Sequence, residues 1–323
     1  MGMRRIGFYL TWNLGSLQSK LGNVLGDELY ANSLAQALRK LDSELDVQVY
    51  APNRPPEGRL DAMVYMNDNA PCSEWAAKSL LYLQNAYGEG CDRKLAALRN
   101  HGYDGYAFIS QKLLDLHQGE GYQGIFLPFG VDVTTFRPQP VDPALAFEVA
   151  YVGNDIKGTE RSEAYLEPAA DFDFGLFGNW YVPRARFRIW KNYLLPRYKK
   201  RFERLSRGKI LQGQVPVLYS SSKINLNCTI QDCVDWDVIT LRTLEVLACD
   251  GFLVSDRVPA AQRLLGDYIV FTDGYDQLRT QIRHYLAHDE ERQRMARAGG
   301  AFVRQNFSIE ATADKLLMYL QEL

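Results

Sequence analysis

"DWDVITLRTLEVLACDGFLVSD", residues 235–256, sets an amphipathic helix against a short apolar strand. Leu241, Leu244, Leu247 and Ala248 recur at helical spacing as one apolar stripe, while Arg242, Thr243 and Glu245 fall beside it, the two charges three residues apart. Gly251 is the expected helix stop, and "FLVSD" then reads as a buried strand. A helix running into a strand is half of an α/β unit. Charges near the start of such a helix either serve a ligand or pair with each other, so an internal Arg242–Glu245 ion pair is the structural alternative.

Working outward, the same alternation covers the chain. "RRIGFYL" (4–10) is a strand, "GDELYANSLAQALRKL" (26–41) an amphipathic helix, and "DVQVYAP" (46–52) and "LDAMVYM" (60–66) are further strands; "AAKSLLYLQNA", "YDGYAFIS" and "GIFLPFGVD" continue the series. Pro138, Pro140 and Pro143 punctuate the middle, and "FEVAYVGN" (147–154) starts a second series: a helix near 160–167, "DFDFGLFG", basic helices, "KILQG", "SKINLNC", the opening helix, "GFLVSD", "YIVFTD" and terminal helices. Strands separated by helices predict parallel sheets covered on both faces. The class is α/β, with domains over 1–140 and 141–323.

At 323 residues and 46% hydrophobic content the chain has material for two cores. No window holds 18 uninterrupted apolar residues, and "MGMRRIGFYLTWNLGS" turns polar too soon for a signal peptide, so a cytoplasmic protein is expected. The five cysteines are odd in number and form no CxxC pair, which supports reduced thiols over a disulfide framework or zinc site. Net charge is -2, yet residues 184–209 carry eleven cations against one acid, Glu203: a local +10, with about -12 elsewhere. Such a concentration attracts an anionic acceptor, membrane surface or polymer. Its bland alternative is a solvated helix face, because Phe187, Trp190, Tyr193, Leu194, Tyr198, Phe202 and Leu205 interleave as an apolar stripe.

Six stretches then occur in a telling order: "LPFGVDVTTFRP" (127–138), "AYVGNDIKG", "LFGNWY", "GQVPVLYSSSKINLN", "LRTLEVLACDGFLVSD" and "RMARAGGAFVRQNFSIEATADKLL". Together they resemble the linker and nucleotide-binding domain of GT-B glycosyltransferases, closest to the CgeB-like group related to the retaining group-1 families. The resemblance covers residues 125–323. It implies two Rossmann-like, doubly wound domains facing a central cleft, the first on the acceptor side and the last helix packing back on it, and a nucleotide-sugar donor such as a UDP-sugar. By position, Glu245 would accept from the ribose diol. Lys157 and Arg161, if they are not ordinary surface charge, Arg242, which could instead pair with Glu245, and the helix start near Val238 to Thr240 would hold the diphosphate, with Asp237 and Thr243 also on the donor side. Asn227 would face the cleft, Val215 and Pro216 in a loop would hold the nucleobase, and Trp180 would either wall the pocket or pack into the core. Two positions depart from the group-1 pattern: Asp237 stands where those enzymes carry Glu, and Asn154 stands where they carry Arg.

For catalysis the resemblance implies stabilisation of the leaving diphosphate, and an inverting enzyme also needs a base, for which Asp27 in "LGNVLGDELY" is the candidate beside its reading as a helix cap. "DFD" (Asp171, Asp173) and "DWD" (Asp235, Asp237) match the two-carboxylate pattern of metal-dependent transferases, but the first precedes a strand and the second leads into a helix as caps. The four histidines offer no convincing ligand pair; His284 and His288 lie on a peripheral helix. The expectation is a metal-independent glycosyltransferase without a cofactor. A GT-B-fold sugar-nucleotide epimerase and a noncatalytic nucleotide-sugar or nucleic-acid binding protein are the alternatives.

Overall fold

The computed structural model describes residues 3–18, 26–84, 89–182 and 193–323. The chain forms two compact units, the first of residues 1–132 with 235–239 and 307–323, the second of 133–234 and 240–306.

In unit 1, β1 (Arg5–Tyr9) is followed by α1 (Gly26–Leu41), β2 (Asp46–Tyr50), β3 (Leu60–Tyr65), β4 (Ala76–Leu83), α2 (Cys91–Arg99), β5 (Gly105–Phe108), α3 (Gln111–Gly119) and β6 (Ile125–Phe126). The strands form one parallel sheet in the order β2-β1-β3-β4-β5-β6. The alternation fails between β2 and β4, where no helix intervenes. Physically, "NRPPEG" after β2 and "NDNAPCS" after β3 are short and rich in proline, glycine and asparagine, which favour turns over helix. Tyr9, Tyr65, Leu81, Tyr103 and Phe108 belong to the core on one side. Against α1 lies α12 (Ile309–Glu322), whose Ile309, Ala313, Leu316 and Leu320 are buried.

Unit 2 contains β7 (Val149–Val152), α4 (Thr159–Tyr165), β8 (Phe174–Phe177), α5 (Arg197–Leu205), α6 (Val215–Ser221) and β9 (Ile224–Asn227). Short α7 (Gln231–Asp235) leads toward α8 (Leu241–Ala248), β10 (Leu253–Asp256), α9 (Pro259–Leu265), β11 (Val270–Thr272), α10 (Tyr275–Ala287) and α11 (Asp289–Asn306). Its parallel sheet runs β11-β10-β9-β7-β8. "KILQG" is not a strand. After Arg207 N–H bonds to Leu176 O at 2.9 Å, Gly208 turns with φ 75° and the chain leaves the sheet.

In both sheets the first strand lies between the second and third, so the winding reverses at β1/β3 and at β7/β9. Loops at the carboxyl ends of strands diverge there, which makes each reversal a natural ligand position. Helix α8 ends as its sequence suggests, with one difference. Asp250, not Gly251, takes the left-handed conformation (φ 53°), while Gly251 is needed for space, since a Cβ there would stand 2.8 Å from Val246 O. Among the described residues no helix is long and apolar enough to cross a membrane.

Candidate functional site

The β7/β9 reversal of unit 2 gathers most of the candidates. Strand alternation sends Ile224 and Leu226 into the core and leaves Asn227 at the carboxyl end of β9 among polar partners. Its amide donates to Thr229 Oγ1 (3.1 Å), Ser255 Oγ (3.1 Å) and Thr243 Oγ1 (3.4 Å), and its Oδ1 accepts from Arg242 Nη1 at 3.2 Å. Asn227 therefore orients Arg242, whose guanidinium also lies 5.1 Å from the centre of the Tyr151 ring. The buried Tyr151 hydroxyl has no hydrogen-bond partner among the described residues, and burial pushes its pKa up to about 12. It points along β7 toward Gly153, where an added Cβ would come within 2.7 Å of the oxygen.

Two charged groups nearby are uncommitted. Lys157, half-buried, makes no ion pair or side-chain hydrogen bond among the described residues, and burial together with the Arg242 charge pulls its pKa down to about 8. Glu245, half-buried one turn along α8 from Arg242, likewise has no partner; burial pushes its carboxyl up to about 7 against the pull of Arg242. The internal Arg242–Glu245 ion pair is not formed. Thr240 caps α8 in extended conformation (φ -79°, ψ 152°); its hydroxyl meets Thr243 Oγ1 at 3.4 Å and leaves the backbone N–H groups of the first turn without a side-chain cap. Chemically, the arrangement offers two cations, a buried hydroxyl and a helix start to an anion, and one carboxylate to hydroxyl donors.

The other sequence-derived residues fall elsewhere. Arg161 is spent inside unit 2: it pairs with Asp256, donates to Thr229 O (2.6 Å) and Gln231 Oε1 (2.7 Å), and stacks on Tyr165. Asp256, 1% exposed, also accepts from Thr229 N–H, Thr229 Oγ1 and Ser255 Oγ. Trp180 is core, edge-on to Phe202 at 5.1 Å and to Tyr151 at 6.2 Å. Val215 and Pro216 open α6 instead of lying in a loop, because proline is at home in a first helical turn. Asp237 does not cap α8; it has φ 61°, three residues before the Thr240 cap, in a segment that unit 1 holds through Ser110 Oγ to Trp236 O (2.5 Å) and Lys112 Nζ to Asp235 O (2.7 Å). Tyr151 and Asp256 were not singled out in the sequence: one reads as an ordinary strand aromatic, the other as a strand-end acid.

Unit 1 has its own polar group at the β1/β3 reversal. Asn67, fully buried just beyond β3, accepts from Thr11 N–H (3.4 Å) and donates to Asp27 Oδ2 (3.2 Å), while Asn69 donates to Thr11 Oγ1 (3.0 Å). Adjacent Glu28 ties down the loop after β1, accepting from Gly15 N–H (3.0 Å), Ser16 N–H (2.9 Å) and Ser16 Oγ.

Of the basic segment, Arg184, Arg186, Arg188 and Lys191, with Phe187 and Trp190, lie outside the described residues. Lys199 pairs with Asp155 (3.0 Å), and Arg201 with Glu167 (2.7 Å) and Asp171 (2.6 Å). Asp171 also takes Arg279 at 2.8 Å. His284 and His288 stack on each other, His284 meeting Glu291. Among the described residues no three His, Cys, Asp or Glu side chains gather as a metal site.

Residues 161–318 match the family model described as glycosyl transferase-like. No curated protein sequence matches the chain. Sucrose-phosphate synthase from Thermosynechococcus elongatus is similar in structure at TM-score 0.70 and 14% identity, over 99% of this chain and 98% of that one. HepE of Anabaena in complex with UDP and glucose is similar at TM-score 0.69 and 14% identity, over 99% and 100%. BGT of phage T4 in complex with its UDP-glucose substrate follows at TM-score 0.62 and 15% identity, over 99% and 100%. These likenesses and the two parallel sheets make the architecture GT-B.

Proposed function

We propose that the chain, which has the GT-B fold and whose residues 161–318 match the glycosyl transferase-like family model, transfers a sugar from a nucleoside diphosphate sugar to an acceptor hydroxyl. The observation that carries this reading is the trio of Lys157, Arg242 and Glu245 at the β7/β9 reversal, with no internal ion pair consuming them. The uridine nucleotides held by HepE and by BGT favour a UDP-hexose as donor. Glu245 accepts from the ribose diol. Lys157, Arg242, the Tyr151 hydroxyl and the start of α8 receive the diphosphate, and their positive charge stabilises it as it departs. Asp27 is the base that takes the acceptor proton, oriented by Asn67. The charge of the leaving group is met by protein cations, so turnover continues when EDTA is added; loss of activity restored by magnesium or manganese would reject this part.

A thermal-shift series with UDP, other nucleoside diphosphates and UDP-sugars, coupled to an assay for released nucleoside diphosphate, tests the whole reading. The expected result is stabilisation by UDP-sugar and slow release of UDP. Stabilisation with neither release nor transfer would leave a binding protein, and interconversion of the sugar without release would make it an epimerase.

A further inference from the structure

Helix α5 presents two faces of opposite character. Tyr198 and Phe202 are buried, with Leu205 packed beside them, a spacing of four and three residues. Arg197, Lys200 and Arg204, spaced three and four, fall on a different side of the helix, and none has an acidic partner among the described residues; Lys200 donates only to Tyr193 O, at 3.3 Å. The helix's other two cations, Lys199 and Arg201, are paired with Asp155, Glu167 and Asp171, so acids are available along this side of the unit yet leave that stripe bare. Immediately before the helix, Tyr193 and Leu194 are 78% and 71% exposed. A protein of net charge -2 has thus placed an unneutralised cationic stripe beside large exposed apolar side chains.

We propose that this face docks on an anionic lipid bilayer, the cations meeting headgroup phosphates while Tyr193 and Leu194 enter the interfacial layer. Charge alone fits any polyanion. The exposed apolar pair selects lipid, because it gains from leaving water at a bilayer interface. The helix is tied to the Lys157 loop by its other sides: Tyr198 donates to Asp155 at 3.0 Å and Lys199 pairs with the same carboxylate, two residues before Lys157.

Sedimentation of the full chain with vesicles rich in phosphatidylglycerol, against pure phosphatidylcholine, reads this directly. Binding to the anionic vesicles alone is expected, declining with salt. The combined change Arg197→Glu, Lys200→Glu and Arg204→Glu should lower vesicle affinity by at least about tenfold while leaving UDP-sugar hydrolysis unchanged. Should that variant not fold, judged by circular dichroism, the corresponding glutamine triple serves. Tyr193→Ser with Leu194→Ser should remove the binding that persists at high salt. Absence of anionic-vesicle binding, or full binding by the charge-altered variants, overturns the proposal. So does retained affinity in the serine pair with complete displacement by polyphosphate, which would identify a soluble polyanion as the partner.

Discussion

Glu245 holds its proton up to about pH 7 in the folded protein against 4.5 as its ordinary value. The sign follows: below 4.5 both states are protonated, and as pH rises to 7 the unfolded chain ionises first, so the folded state loses ground. Relative to Glu245→Gln, wild type should weaken by on the order of 2 kcal/mol between pH 4.5 and pH 8, allowing for partial exposure. Urea melts of both proteins at the two pH values measure this, and parallel stabilities would mean the carboxylate is solvated. The same substitution should weaken donor binding by about 1–3 kcal/mol, because it removes a charged acceptor. Lys157 behaves oppositely: its charge is lost as pH passes about 8, where donor affinity should fall, whereas folded stability should rise between 8 and 10.5 as the cost of burying that charge is relieved. Calorimetric titration of UDP from pH 6.5 to 9.5 tests it, with Lys157→Met expected to bind weakly and without that pH step. Residues such as Glu245 and Arg242 are legible because charge interrupting an apolar helical stripe is conspicuous. Arg161 is harder to read, because a cation at the start of a short polar helix looks free until the fold brings Asp256 to it.

Strand β10 and helix α4 are coupled through that buried pair. Removing Asp256 strands the Arg161 guanidinium and the Thr229 N–H, so Asp256→Ala should cost about 3–5 kcal/mol, more than removal of both charged partners together. Chemical denaturation of the two singles and the double decides; simple additivity would deny the coupling. Most elements are visible in the sequence, since period-two and period-3.6 patterns report one-sided burial, as the alternating Ile224 to Asn227 and the α5 stripe do. What escapes is set by tertiary contact. "AAKSLLYL" extends a series of apolar runs that does not itself announce a strand following another strand directly. Asp237 has the composition of a helix cap, yet the unit 1 contacts of residues 235 and 236 hold the chain extended past it, and Thr240 caps instead.

At the scale of the molecule, unit 1 is not continuous in sequence, for residues 235–239 and 307–323 complete it. The proline cluster at 138–143 marks a composition shift, whereas the contacts divide at Asp132 and Val133; no local pattern encodes which core a late helix joins. The return is anchored by a short parallel ladder, Val131 N–H to Phe307 O and Ile309 N–H to Val131 O, both 2.8 Å. Beside it Gly130 is indispensable, as a Cβ would lie 2.5 Å from Thr312 Oγ1 and 2.8 Å from Ser308 O and Ile309 Cα. Backbone atoms cannot rotate away, so Gly130→Ala should force α12 off α1 and destabilise unit 1. Truncation after Asn306 is the stronger form. It exposes the faces that cover Ile309, Leu316 and Leu320, and at about 1.5–3 kcal/mol per buried side chain the loss rivals the whole stability of a small domain. Hydrogen exchange on the truncated chain should show β1 to β6 unprotected while β7 to β11 remain protected, with UDP still bound by unit 2. Equal protection in both units would mean that α12 is an accessory to the first sheet and not part of its core.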